Sequence, residues 1–396
     1  METSVYQEAP PPAPEAPAIT PSRISAIISA NGARSSRYVP YPFKANRYRK
    51  IPFWSRIEHC APTSGGIGGR KIVTISRARV DMHVHTAYSG WRHLRLIHPR
   101  DSYLDPFDAY QAALERGMSF VAVTDHNTIE GALRLTDDPR VDPRRVIVGE
   151  ELECAFPDTG QWLHVNLYGL GERDHSLLGR LKADVREVVA YCRERDLLCV
   201  LNHPFQSYLG QKPLRGYVAD ILRLFTHVEG WNGSLPTVQN LAVQALCRQA
   251  ASAGLTLVQV GGSDAHGIRR VACAYTEASA SSAEDFLVQV KRGHCSVSGT
   301  TLSTAGMIAE VYRIVGTYYR RLYTGKGDAK TPAGYLGDVL GATACLPFAL
   351  GGLPAAVTLG SQIRQKAVSG SVLLRMEKAF PRECALEAAK RPGRLP

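Results

Sequence analysis

Between residues 72 and 300 short β-branched runs alternate with helical patterns, and this alternation constrains the fold more than any other feature. Such alternation argues for β/α units around a parallel sheet. The strand candidates are Val80–Val84, Phe120–Val123, Val146–Val148, His164–Tyr168, Leu198–Leu201, Val228–Trp231 and Leu257–Val260. Between them the spacing predicts helices over Pro106–Arg116, Leu177–Arg195, Val238–Ala253 and Ala283–Arg292. The first has Asp105 as a cap, Pro106 at its first position and Gly117 just beyond its end. Seven strands in about 220 residues is the size of a barrel.

Outside this stretch the composition changes. Residues 1–22 are rich in Pro, Ala and Glu and predict a disordered or polyproline-like tail. Residues 34–79 are basic and aromatic with a Gly-rich turn at 64–69, so 1–70 is taken as a linker-like N-terminal segment, 71–300 as the barrel and 301–396 as a helical extension. In that extension Met307, Ile308, Val311, Ile314, Val315, Tyr318, Tyr319 and Leu322 sit at helical spacing. Val339–Ile363 contains no charged residue, but Gly341, Pro347, Gly351, Gly352 and Pro354 interrupt it. A buried helical hairpin is the preferred reading, with membrane attachment as the alternative.

The net charge of +11 invites a nucleic-acid reading until it is partitioned. Residues 1–80 carry +8 and residues 301–396 carry +7, which leaves −4 for 81–300. An acidic barrel does not suggest long contacts with a duplex, and it holds no strip of aromatic and basic residues for stacking single strands. The nine cysteines are scattered without a C-x-x-C pair, which suits a reducing compartment. The first residues lack a basic segment followed by an apolar one, so the expected location is cytoplasmic, with membrane association through the C-terminal stretch as an addition.

The chemistry-bearing residues fall at the strand ends. Asp81-Met82-His83-Val84-His85-Thr86 closes the first strand, and alternation along a strand turns His83 and His85 to one face, a chelating geometry. Thr124-Asp125-His126 follows the second strand, and Gly149-Glu150-Glu151-Leu152-Glu153 follows the third. His164 begins the fourth, Asn202-His203-Pro204 ends the fifth, and Gly262-Ser263-Asp264-Ala265-His266 ends the seventh. Barrels of β/α units build their active sites at C-terminal strand ends. Six of the twelve histidines in these places predict a metal centre.

In this order H-x-H-T, T-D-H-N-T, G-x-E, N-H-P and G-S-D-A-H resemble the PHP (polymerase and histidinol phosphatase) superfamily over about residues 78–300. The resemblance implies a distorted (β/α)7 barrel that binds two or three divalent ions (zinc, manganese or iron) and hydrolyses phosphoesters. It implies that His83, His85 and Asp264 hold a first metal and that Glu151 bridges to a second completed by His164 and His203. His126 and His266 would hold a third, for which His93 and His98 are the only further histidines soon after H-x-H.

Metals held this way lower the pKa of a bridging water, and the hydroxide attacks phosphorus in line. Asp264 and His266 are the candidate catalytic residues. Asp125 has two readings, general acid or a partner that orients His126, and the second is preferred. Arg269 and Arg270, directly after G-S-D-A-H, are candidates to bind substrate phosphate. Glu229 and Asn232 at the end of the sixth strand have two readings, lining the pocket or supporting the barrel through hydrogen bonds, and the second is preferred. The expected substrate is a small phosphomonoester, a nucleotide or a short oligonucleotide. Amide, ester or carbamate hydrolysis on the same metals is the rival, followed by a metal-stabilised scaffold without catalysis.

Overall fold

The structure, a computed structural model, describes residues 77–89, 100–208, 210, 213–327 and 331–379. Contacts divide the chain into Met1–Thr74 and Ile75–Pro396, and everything described belongs to the second unit. The expectations for the Pro-rich tail, the Gly-rich turn, His93 and His98 lie outside the described residues.

Nine strands form one nearly closed sheet in the order β7-β6-β5-β4-β3-β2-β1-β8-β9. They are β1 (Arg77–Asp81), β2 (Phe120–Val123), β3 (Val146–Phe156), β4 (Gln161–Tyr168), β5 (Leu198–Leu201), β6 (His227–Asn232), β7 (Val258–Gly262), β8 (Ala274–Ser279) and β9 (Cys295–Gly299). The first seven answer to the predicted strands; β8 and β9 were not expected. The sheet is mixed rather than parallel, because β4 runs antiparallel to both β3 and β5, and β8 antiparallel to both β1 and β9. Closure comes where Val84 and Ala265 form a parallel bridge and the His85 amide donates to the Ala265 carbonyl (2.9 Å). There β7 approaches β1 so closely that a Cβ on Gly262 would stand 2.4 Å from the His83 Cβ.

The helices of the barrel are α1 (Pro106–Glu115), α2 (Glu130–Thr136), α3 (Glu172–Leu181), α4 (Val185–Glu194), α5 (Leu214–Leu224), α6 (Thr237–Ser252) and α7 (Ala283–Lys291). Asp105 caps α1 by accepting from the Phe107 amide (2.9 Å). The single helix predicted over Leu177–Arg195 is two: Asp184 accepts from the Arg186 amide (2.9 Å) and starts α4 afresh. Strand β2 shows how the barrel separates two cores. Phe120 and Ala122 join Val80, Met82, Tyr168 and Val200 in one cluster, while Val121 and Val123 join Leu104, Ala109 and Leu135 in another, towards α1 and α2. Burial of both faces is what strands covered by helices require.

Three further helices follow: α8 (Thr304–Tyr323), α9 (Pro332–Leu350) and α10 (Leu353–Ala379). The uncharged stretch breaks at Gly351 and Gly352, which has a left-handed φ of 94°, so it is shared between α9 and α10. Tyr318 and Leu322 of α8 pack on Ala342 of α9. The α10 residues Thr358, Gln362, Ser369, Val372 and Met376 are buried; the neighbouring Gln365 receives a hydrogen bond from Gln239 of α6, and the Met376 carbonyl one from Gln249. The expectation of a buried hairpin is not met, because only 6% of the apolar window in α9 is buried. Ala342 is its one buried residue, Tyr335 and Val339 are half-buried against the same cluster, and Leu336, Leu340, Phe348 and Leu350 are exposed.

Candidate metal centre

The centre is built around one carboxylate. Glu151 lies in the middle of β3, buried, with its oxygens 3.0 Å from His164 Nδ1, 3.1 Å from His203 Nε2, 3.2 Å from His85 Nε2 and His126 Nδ1, and 3.3 Å from His83 Nε2. Asp264 Oδ1 stands 3.3 Å from His85 Nε2 and 3.6 Å from both His83 Nε2 and His266 Nδ1. Each predicted metal ligand is therefore part of one cluster. His164 reaches it from the start of its strand because β4 is antiparallel, so its early residues lie at the C-terminal ends of its neighbours.

Backbone geometry reinforces the convergence. His203 and Asp264 adopt positive φ, 24° and 52°, which side chains other than glycine rarely accept. Such strain persists where surrounding structure holds it and is concentrated at functional sites.

Hydrogen bonds fix which imidazole nitrogen points inward. Glu229 accepts from His83 Nδ1 (2.8 Å), so Nε2 is the atom that His83 turns to the cluster. Ser89 Oγ donates to Asp101 Oδ2 (3.0 Å), so it accepts from His85 Nδ1 (3.1 Å) and frees Nε2. His266 Nδ1 donates to the Asp264 carbonyl (3.0 Å). Glu229 and Asn232 do form hydrogen bonds, but within the cluster rather than in the barrel, and Glu229 forms a further donor group with His83 and His203. Asn232 donates to Glu229 (3.0 Å) and to Asp264 (3.2 Å). Three residues apart on a regular strand they would face opposite ways, but a bulge between Glu229 and Trp231 puts them together.

Among the described residues five groups of donors lie close enough to hold a cation, each with its atoms within 4.8 Å of one another. Four matter most: His83, His85 and Asp264; Glu151, His164 and His203; His126, Glu153 and His164; and His85, Asp101, His126 and His266. The last contains Asp101, which sequence reasoning missed, since an acid 16 residues beyond H-x-H belongs to no local pattern. Its Oδ2 is 3.5 Å from His126 Nε2 and 3.7 Å from His266 Nε2.

The donor set fits divalent ions. The Nε2 atoms of His83 and His85 approach to 3.0 Å, and His126 Nδ1 and His164 Nδ1 face Glu151 without hydrogen-bond geometry. Buried polar atoms normally find a hydrogen-bond partner. Burial lowers the pKa of His83, but the charges of Glu151, Asp264 and Glu229 outweigh it and hold the group well above its usual value. Burial likewise opposes His85, yet Asp264 and Glu151 raise it to about 10. Burial, with His85 and His164 nearby, instead pushes His126 down to about 3. Burial would raise Asp264, but His83, His85 and His266 hold it well below the usual carboxylate range. Carboxylates and imidazoles buried at this spacing are what a set of metal ligands presents.

Two further expectations are corrected. Asp125 does not orient His126, nor does it point at the cluster. Its carboxylate accepts from the Thr86 amide (2.5 Å) and hydroxyl (2.7 Å), and burial raises its pKa to about 6. The helix α2 crosses so near that a Cβ on Gly131 would lie 2.1 Å from Asp125 Oδ2. Arg270 is a brace, not a phosphate clamp, since its guanidinium donates to the carbonyls of Gly233 (2.8 Å) and Thr300 (3.5 Å); Arg269 is exposed. A cation that the sequence did not single out lies nearer: Lys182 donates to Asn127 (2.9 Å), which donates to Glu153 (2.9 Å) beside His126 and His164.

A family model described as PHP-associated matches residues 249–295, the stretch containing β7, Asp264 and His266, and supports kinship with the PHP superfamily. An uncharacterized protein of Methanocaldococcus jannaschii is 32% identical over 74 residues, which is 19% of this chain and 43% of that one. The match thus spans less than half of that relative. A solved structure from Bifidobacterium adolescentis, provisionally named a metal-dependent phosphoesterase, covers 48% of this chain and 87% of that one. Its identity is 17% and its TM-score 0.33, and at that score the likeness carries no argument.

Proposed function

Taking kinship with the PHP superfamily as the premise, we propose that this protein is a metal-dependent phosphoesterase. The observation that carries the reading is Glu151, one buried carboxylate within 3.3 Å of five imidazole nitrogens from four strand ends. In this reading His83, His85 and Asp264 hold one divalent ion, His164 and His203 a second, and Glu151 stands between them. His126, His266 and Asp101 form a third set. The bound ions would supply charge stabilisation for phosphoryl oxygens and a water acidic enough to attack at neutral pH.

The chain's own residues do the rest. Glu229 and Ser89 accept from the Nδ1 atoms of His83 and His85, which leaves their Nε2 atoms as the ones that would take a metal ion. Asn202 donates to Glu151 (2.9 Å) and holds its carboxylate in place. Trp162 is two residues from His164 on β4, so both side chains stand on one face, with ring centroids 5.1 Å apart. The Trp162 ring is exposed and offers an apolar wall to a leaving group. Lys182 supplies positive charge beside it.

The test is metal analysis of the purified chain, read beside turnover of p-nitrophenyl phosphate, bis-p-nitrophenyl phosphate and p-nitrophenyl acetate. Two or more metal equivalents with turnover of a phosphate ester is the expected result. Turnover of the acetate alone would favour amide or ester hydrolysis on the same ligands. Metal without turnover of any substrate would leave a scaffold.

A further inference from the structure

The outward face of α9 and the first turns of α10 inverts the usual partition of side chains. Leu336, Leu340 and Phe348 are exposed on α9, and Leu353 and Val357 are exposed on α10 just past the Gly351-Gly352 turn. Phe348 is 63% exposed and Leu350, at the tip, 78%. Single exposed apolar residues are ordinary, but a contiguous patch marks an interaction site.

We propose that this tip docks the protein on an anionic lipid surface as a one-leaflet anchor. The 19 residues of α9 are together long and apolar enough to cross a membrane, but Asp338 lies among them, so the uncharged arms decide between docking and spanning. The uncharged arm from Val339 to Leu350 is about 18 Å long and that from Leu353 to Ile363 about 16 Å, at roughly 1.5 Å per residue. A hydrocarbon core is about 30 Å thick, so either arm reaches one leaflet and stops. Charge decides the kind of lipid. Arg364 directly follows the α10 arm and is exposed, and Lys366 lies two residues further on. Residues 301–396 as a whole carry +7. An apolar tip followed by cations is the arrangement that binds anionic headgroups. The opposite face of α10 is committed to α6 through the bonds of Gln365 and Met376, so docking leaves the barrel's donor cluster untouched. The inference does not depend on the phosphoesterase reading, and its test reads no turnover.

The experiment is flotation of the full chain with vesicles of phosphatidylcholine alone or with phosphatidylglycerol added. The full chain is expected to float with the anionic vesicles and to be released by salt. Phe348→Glu with Leu353→Glu should lower the bound fraction by more than tenfold while melting temperature and metal content stay unchanged. Arg364→Glu with Lys366→Glu should weaken binding by about fivefold per charge lost. The proposal is overturned if the full chain stays with the soluble fraction, or if the Phe348/Leu353 variant floats as well as the parent. It is equally overturned if light scattering shows a dimer that the same double substitution dissociates, since the occupant is then a second copy of the chain.

Discussion

The strand-end cluster and the α9–α10 tip break the same rule in opposite directions. At the cluster, ionisable groups are buried: Glu151, His83 and His85 are almost wholly shielded from solvent. At the tip, Leu, Phe and Val side chains are exposed. Burying charge is costly unless it is compensated, and exposing a broad apolar face is costly unless it is covered. Each region therefore points to something outside the chain, a cation in one case and a lipid surface in the other. His227 supplies the contrast that makes the cluster informative. It is buried too, but its Nε2 donates to the Val290 carbonyl (3.1 Å) and its Nδ1 accepts from Thr226 (2.9 Å), so it is complete without a ligand.

The contrast can be broken experimentally, most severely at the shared carboxylate. Glu151→Gln keeps the shape and removes the charge that five imidazoles face, and kcat/KM of the metal-loaded enzyme should fall by about 10³-fold, or about 4 kcal/mol. A variant within threefold of the parent would remove Glu151 from the centre. Gly262→Ala tests the close approach of β7 to β1. The added methyl meets His83, and thermal melting should show a loss of about 1–3 kcal/mol. An unchanged melting temperature would mean that the two strands can separate at little cost. Asp101→Asn should lower activity by about 10–100-fold and reduce bound metal by one equivalent on elemental analysis. Full metal content in this variant would leave Asp101 a spectator.

The smallest effect belongs to His227, where burial lowers the pKa. The folded state then prefers the neutral ring, so its contribution is present above the unfolded value of about 6.5 and is lost as pH falls from there towards the lower folded value. His227→Gln should flatten the decline in melting temperature between about pH 6.5 and 5. A decline as steep as the parent's would assign the acid sensitivity to other groups.

Much of the centre was legible in the sequence, for a local reason. Period-two alternation puts His83 and His85 on one face, and β2 and β5 have the bounds that their apolar runs predict. What was missed depended on distance. Asp101, 16 residues beyond His85, joins the cluster through contacts that no local pattern announces. Asp125 carries the same residue type whether it serves His126 or Thr86, and only the packing of α2 decides between them. Strand direction is similarly silent, because a β-branched run reads the same in a parallel or an antiparallel ladder.

The α9–α10 stretch marks the limit most clearly. Sequence by itself determined the order of strands and helices, the donor types at the strand ends and an uncharged run of 25 residues. Tertiary structure alone decided that β4 runs backwards to deliver His164, that Asp101 completes a donor set, and that the apolar run faces outward rather than into a core. Periodicity is a property of neighbours along the chain, whereas register, strand direction and burial are set by contacts between residues far apart in it.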